Sequence, residues 1–496
     1  DDGIKRHYNR DVSEFSIIPG SPLSYWVPLE IRKIYESNTC FDSENSSTDK
    51  DSLGTVKVGL QTGNNSRFLR RFWEISDYNE WVPFAKGGSD AWILPRVNYT
   101  TIWGDSGKEI KRYGGSYPRS ENYYFRDALT YTNIKEGGRR FGYLHDSSIF
   151  GTAGQAFLPD TDIWEALAYS NSDLVTYLML ALTTGRHWQA GEVSRLPWDT
   201  ELASSEELEA YAKEILAELL RKRRHEFSSV YYQSPILLSL IGYQNPTFVG
   251  NHPHRDLLDN VDSIGYIGEA DPSTSLYDLG VTSEKYRETI SQRLEDKQQS
   301  INKQIFRHFG ISESHISDVL LEIALRTNED PRKTEEYDPE GITELPDSFK
   351  QDVKDIVHHF ALEVVRKEND GIIPIEGTDE QADMLDRIID RFEEVYGEYA
   401  EDRLVEVDDT LGAKSADDEA YPNLRAFIED DLFSYHINTM ENTPIVWKLS
   451  TERLLADAKG EGFACFVDYH QLNASLFDRL SNQYLEPRKA ELRERR

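Results

Sequence analysis

The sequence predicts an α+β protein: a mixed α/β region followed by mainly helical domains with a small C-terminal β-hairpin. Three observations carry this. From Gly54 to about Trp198, short apolar runs are parted by the pairs Gly87-Gly88, Gly114-Gly115 and Gly137-Gly138, the punctuation of strands and turns. From Ser204 onward the chain is acidic and its apolar residues recur at helical spacing. Near the C-terminus, Ile445 to Leu449 and Phe463 to Tyr469 flank Lys459-Gly460-Glu461-Gly462, the pattern of a hairpin.

Taken in order, residues 14 to 36 join a Pro-Gly-Ser-Pro turn to a short helical pattern through Leu29, Ile31 and Ile34. The polar run Ser43 to Ser52 reads as a surface loop and a boundary. Strands are expected at Thr55 to Leu60, Ala91 to Leu94, Thr100 to Trp103 and Phe141 to Leu144, and a helix from about Asp162 to Thr184 before GEVSRLPW closes the region. Ser204 with Glu207 forms a capping box for a helix whose Leu208, Tyr211, Ala212, Ile215, Leu216 and Leu219 make one stripe. Further stripes run through Tyr286, Ile290, Leu294, Ile301 and Ile305, then, past a break at Gly310, through Ile316, Val319, Leu320 and Ile323. Pro- and Glu-rich residues 328 to 346 read as a linker, and helices are expected to start near Asp347, Asp379 and Pro422. The expected domains are 1–53, 54–200, 201–330 and 347–496, with a linker at 331–346.

The 496 residues suffice for about two to four domains. A net charge of −33 would repel nucleic acid if it were spread evenly. Between Asp51 and His145, however, 14 basic residues face 10 acidic ones, so the positive potential is local. Arg outnumbers Lys, 34 to 21, in an acid-rich chain, a composition expected of a halophilic cytoplasm. In high salt, phosphate contacts lose much of their counterion-release advantage, and recognition leans on hydrogen bonds, stacking and shape. The two cysteines, Cys40 and Cys465, build neither a disulfide framework nor a metal knuckle. No apolar run reaches the ~20 residues of a membrane span, and the first residue, which is not Met, reads as a cut or processed start.

The stretch Val56 to Gly88 is a basic and aromatic island. Gln61, Thr62, Gly63, Asn64 and Asn65 form a turn whose amides suit bidentate pairing with adenine and whose glycine lets backbone approach closely. Arg67, Arg70 and Arg71, at helical spacing, would share a face suited to phosphates or to salt bridges. Lys86, beside Gly87-Gly88, and Arg139 with Arg140, beside Gly137-Gly138, make two further basic loops. Tyr123, Tyr124, Phe125 and Tyr131 are stacking or core aromatics, and Trp447 is a core anchor. His252 and His254 with Asp256 have the residue types of a metal site without a matching partner cluster; His358 and His359 are structural. The sequence has no Gly-x-Ser-x-Gly elbow, P-loop or His-Glu-x-x-His helix.

Five stretches, IPGSPLSYWVPLEIRKIYE, VGLQTGNNSRFLRRFWEI, SENYYFRDALTYTNI, GEVSRLPW and YPNLRAFIEDDLFSYHINTMENTPIVWKL, together resemble the C-terminal half of BREX phage-exclusion adenine-specific DNA methyltransferases of the PglX family, relatives of type IIG restriction-modification enzymes. The resemblance covers roughly 14 to 235 and 347 to 495. It implies N6 methylation of a flipped adenine from S-adenosylmethionine. That chemistry needs an (Asn/Asp)-Pro-Pro-(Tyr/Phe) turn and a Gly-rich cofactor turn, and the nearest match here, Asn245-Pro246-Thr247-Phe248, lacks the second Pro. The resemblance therefore implies a target-recognition domain at 54–200, double-stranded DNA as partner, and catalysis and S-adenosylmethionine supplied by an upstream methyltransferase domain whose end and linker occupy 1–53. Other BREX defence proteins are possible partners, and the chain alone is expected to be inactive. The implied DNA-facing residues are Gln61, Thr62, Gly63, Asn64, Asn65, Arg67, Arg71, Lys86, Tyr124, Arg139 and Arg140. The alternatives are an acidic scaffold subunit that binds no DNA and a stand-alone enzyme with an unrecognised site.

Overall fold

A computed structural model describes residues 8–46, 51–88, 91–183, 186–246, 248–261, 270–378, 381–415, 419–451 and 462–494. Thr184, Thr247, the expected helix start at Asp379, the acid pair Asp417-Asp418 and the hairpin turn Lys459-Gly460-Glu461 lie outside these residues. About 51% of the chain is helix and 13% strand, in several small sheets, which makes the protein α+β. It divides into two compact units: residues 1–220, 253–260 and 290–337, and residues 221–252, 261–289 and 338–496.

The first unit opens with α1 (Leu29–Ser37), whose Ile31 and Ile34 are buried as their spacing requires. Strand β1 (Thr39–Cys40) pairs with a late segment introduced below. Then come β2 (Gly54–Lys57), β3 (Leu60–Gln61), the single turn α2 (Asn65–Phe68), β4 (Leu69–Arg71), β5 (Trp81–Ala85) and β6 (Tyr99–Ile102). Segment α3 (Gly104–Arg112) begins with three left-handed residues, Asp105, Ser106 and Gly107. It is followed by β7 (Tyr117–Pro118), β8 (Ala128–Thr132), β9 (Phe141–Leu144), β10 (Ile149–Phe150) and β11 (Gly154–Pro159). The order β10-β5-β6-β4 makes one sheet, with β10 and β5 parallel, and β2-β11-β8-β9 makes a second, fully antiparallel one; β3 pairs with β7. Phe68, Leu69 and Phe84 from the first sheet region and Ala128, Leu144 and Leu158 from the second belong to one buried core.

Two sequence expectations change here. Residues 91 to 94 form no strand beyond a single bridge, because Ile93 sits at φ +55° while pairing only with Gly142. The expected helix from Asp162 is two helices, α4 (Ile163–Ser170) and α5 (Asp173–Leu182), since Ser172 is an extended N-cap that accepts the Val175 N–H. Strand β12 (Pro197–Trp198) pairs with β1.

The acidic helices follow: α6 (Glu206–Arg223), α7 (Leu276–His308) and α8 (Glu313–Arg326), with α8 packed on α5. Both α6 and α7 contribute residues to each unit. The break between α7 and α8 falls at Gly310, which takes φ +63°.

The second unit contains α9 (Phe349–Lys367), β13 (Ile372–Pro374), α10 (Met384–Tyr396), α11 (Ala400–Leu411), α12 (Leu432–Thr439), β14 (Val446–Ser450) and β15 (Ala464–Asp468). The expected C-terminal strands pair antiparallel, and β13 adds a third in the order β13-β15-β14. Burial forces its polar groups to pair. His436 Nε2 accepts the Ile445 and Val446 N–H groups, each at 3.1 Å, so its proton sits on Nδ1 and is donated to His358 Nε2 at 2.8 Å. His359 bonds Tyr232, and Glu363, fully buried, accepts Tyr243 OH at 2.6 Å and Arg391 Nε at 3.0 Å. The Asn245 amide also donates to Glu363 and Phe248 stacks on Tyr232, so both ends of the Asn-Pro-Thr-Phe segment are spent on packing.

Candidate nucleic-acid interface

The turn after β3 is built by its own side chains. Thr62 donates its hydroxyl to Asn65 Oδ1 and accepts Ser116 Oγ at its carbonyl (2.8 Å). Asn64 Oδ1 accepts the Arg67 N–H at 3.1 Å and Ser66 Oγ at 2.9 Å, capping α2. Gly63 has φ +69°, and a Cβ there would lie 2.2 Å from Gly115 O, so this turn and the Gly114-Gly115 loop meet backbone to backbone.

Asn64 Oδ1 accepts two hydrogen bonds inside the turn, which leaves that amide its NH2 group to face a ligand, while Asn65 Oδ1 accepts one and is tied to Thr62. Bidentate adenine pairing needs an acceptor and a donor from one amide. Gln61 is exposed and has both available among the described residues. Its in-register neighbour across β3–β7 is Tyr117, 53% exposed, which places an aromatic ring beside the free amide on one face. Tyr117 was not among the sequence candidates, because nothing local in GGSYPR reveals its pairing with Gln61, 56 residues away in sequence.

The arginines do not share a helical face. Strand alternation in β4 sends Arg70 and Arg71 to opposite faces. Arg70 lies 5.6 Å from the Trp81 ring centre, while Arg71 lies 4.0 Å from that of Tyr99, its partner in register on β6. Lys86 Nζ, just past β5 on the other side of β6, is 4.3 Å from the same Tyr99 ring. Two cations thus share one ring. Arg67 is half exposed and forms an ion pair with Glu109 at 3.1 Å.

These features are connected through backbone. Leu60 bridges Gly151, whose N–H donates to Ala85 O at 3.0 Å beside Lys86; the Asn133 N–H donates to Ala153 O, also at 3.0 Å, at the start of the Lys135–Arg140 loop.

Two members of the expected DNA-facing set are turned inward. Tyr124 is buried against Trp103 and Phe150 and donates its hydroxyl to Arg119 O at 2.7 Å. Arg140 is 1% exposed, stacked 3.7 Å from the Trp188 ring centre, and donates to the carbonyls of Thr132, Lys135, Gly137 and Arg186. Burial lowers its pKa to about 9. Both residues hold the loops that carry exposed groups. Arg139, in contrast, is half-buried with φ +47° and lies 5.6 Å from the Trp92 ring. Tyr131 is buried and bonds Gln155, and the cations of Lys57 and Arg126 lie 5.1 and 5.5 Å from the Tyr123 ring centre.

The histidines expected as metal candidates are engaged otherwise: His254 bonds Ser148 Oγ at 2.7 Å, and Asp256 bonds His145 at 3.0 Å. Asp199, Glu201 and His308 bring ligand atoms within 4.8 Å of one another, but Asp199 there accepts the His308 ring at 3.0 Å and the Glu201 N–H at 3.0 Å, which accounts for the grouping. Among the described residues no helix is long and apolar enough to cross a membrane.

Sequence comparison sets a class beside this geometry: the chain's relatives are adenine-specific methyltransferases. One is the adenine-specific methyltransferase BrxX of Escherichia coli O9:H4 (strain HS), 22% identical over 514 residues that cover 96% of this chain. Another is the adenine-specific methyltransferase PglX of Lacticaseibacillus casei (strain Zhang), 22% identical over 522 residues that cover 97% of this chain. The chain spans 39% of the length of each. No protein-family model matches the sequence.

Proposed function

We propose that this chain supplies DNA sequence recognition to an adenine-specific N6 methyltransferase of a BREX-type defence system. The observation that carries the reading is the match of 96–97% of this chain to 39% of two adenine-specific methyltransferases. In this reading, residues 54–200 are the target-recognition domain, 1–53 lead from the methyltransferase domain, and 201–330 and 347–496 clamp duplex or dock partner proteins. Gln61 reads adenine in the major groove while Tyr117 stacks or packs beside it. Arg67, Arg71, Lys86 and Arg139 position the phosphate backbone, while Thr62, Gly63, Asn64, Asn65, Tyr124 and Arg140 shape the loops that present them. S-adenosylmethionine binds the catalytic part, and the whole works in a salt-rich cytoplasm.

Fluorescence anisotropy with duplex DNA in high potassium tests this. Retention of duplex that falls on Gln61→Ala with Tyr117→Ala supports it; equal binding by both proteins removes the DNA face from this turn. The strongly negative charge outside residues 51 to 145 favours a second reading, an acidic scaffold, for which proteins co-purify and duplex is not retained.

A further inference from the structure

The loop between β8 and β9 holds an anion from its own chain. Glu329, just after α8, accepts the Gly138 N–H at Oε2 (3.0 Å) and sets Oε1 3.7 Å from Lys135 Nζ. Gly137 is the point of approach: a Cβ there would lie 1.9 Å from the Glu329 carboxylate, so only glycine admits the anion against this backbone. The planar trans peptide between Gly137 and Gly138 explains the polarity of the site. Buried Arg140 takes the Gly137 carbonyl at 2.6 Å on one side, and the Gly138 N–H therefore faces the opposite side, where the carboxylate sits. Asn328 donates to Glu136, which occupies the one acidic side chain of the loop itself. Arg139 borders the same cleft as Glu329 and Asp330.

An amide N–H and an ammonium around two geminal oxygens, with Arg139 lining the same cleft beside Asp173 and Glu295, also fit the non-bridging oxygens of a phosphodiester. We propose that the Lys135–Arg140 loop is a phosphodiester-binding site and that Glu329, on the acidic connector, occupies it as an internal mimic that DNA must displace. The inference rests on the DNA-recognition reading. The Glu329 and Lys135 side chains are 46% and 24% exposed, and an ion pair this open to solvent is weak enough for a polyanion to replace.

The test compares the full chain with its Glu329→Ala variant, using duplex DNA in one arm and inorganic tripolyphosphate in the other, and follows amide exchange over residues 325–333. The expected result is several-fold tighter binding of both probes by the variant, loss of that gain when Arg139→Glu is added, and faster exchange of the connector in the unsubstituted chain once a probe is bound. Duplex binding that is equal with and without Glu329→Ala overturns the mimic. A gain for tripolyphosphate without any duplex binding keeps the anion site and overturns the DNA reading instead. Failure to hold either probe overturns both.

Discussion

The guanidinium of Arg71 lies 4.0 Å from the centre of the Tyr99 ring, its in-register partner on the neighbouring strand, and Lys86 reaches the same ring from the strand beyond. This arrangement fixes two positive charges at one rim of the first sheet. Replacing Arg71 or Lys86 with Ala is expected to lower the slope of log K against log salt for duplex binding by about one each. A salt titration of each variant checks this; an unchanged slope removes that cation from the phosphate contacts.

In the turn after β3, Gln61 is exposed while the Asn64 side chain caps the following helical turn. Gln61→Ala is expected to leave thermal stability unchanged and to cost about 1–3 kcal/mol of discrimination between the preferred duplex and one with the contacted adenine replaced. Asn64→Ala is expected to do the reverse, costing about 1 kcal/mol of stability through the lost cap at Arg67 N. Paired melts and binding titrations distinguish the two roles.

Arg140 is expected to behave as a core residue. Its removal leaves four carbonyls that it now satisfies, so Arg140→Ala should destabilise the first unit by about 3 kcal/mol or more. Arg140→Lys should recover little, because one ammonium cannot reproduce the planar fork stacked on Trp188. Denaturant unfolding monitored at the Trp188 environment checks both.

Acid should loosen the second unit. Burial depresses His225 to about 4 and His359 and His436 to about 3, below their ordinary 6.5. A base with a lowered folded pKa contributes stability that is fully present above pH 6.5 and is lost as pH falls toward 3–4. Protonating His436 also turns Nε2 from acceptor to donor, so it can no longer hold the Ile445 and Val446 N–H groups. The expected outcome is a falling melting temperature below pH 6.5 and faster amide exchange at Ile445 and Val446, with a cost of order 5 kcal/mol at full protonation of His436. A flat profile from pH 7 to 4.5 contradicts it.

Local pattern carried part of this fold and long-range pairing carried the rest. The helical stripe through Leu208, Ala212, Ile215, Leu216 and Leu219 is buried as expected, and the break at Gly310 stands where a left-handed residue ends the helix. Strands near Thr55, Thr100 and Phe141 were readable, whereas β5, β8 and β11 were not, since their residues are buried without clean alternation. The Gln61 turn was readable from its amides and glycine. The separation of Arg70 from Arg71 was not, because the same spacing serves a helix or a strand until a partner strand decides. Tyr117 and Glu329 are invisible locally: one is defined by pairing with Gln61, the other by a contact 191 residues away.

The most direct measurement is selection of duplexes from a random pool by the full chain and by its Gln61→Ala variant in high potassium. The unsubstituted chain is expected to enrich an adenine-containing motif, and Gln61→Ala to lose preference at the adenine while still binding duplex. Enrichment of the same motif by both proteins, or of none by the unsubstituted chain, would contradict it.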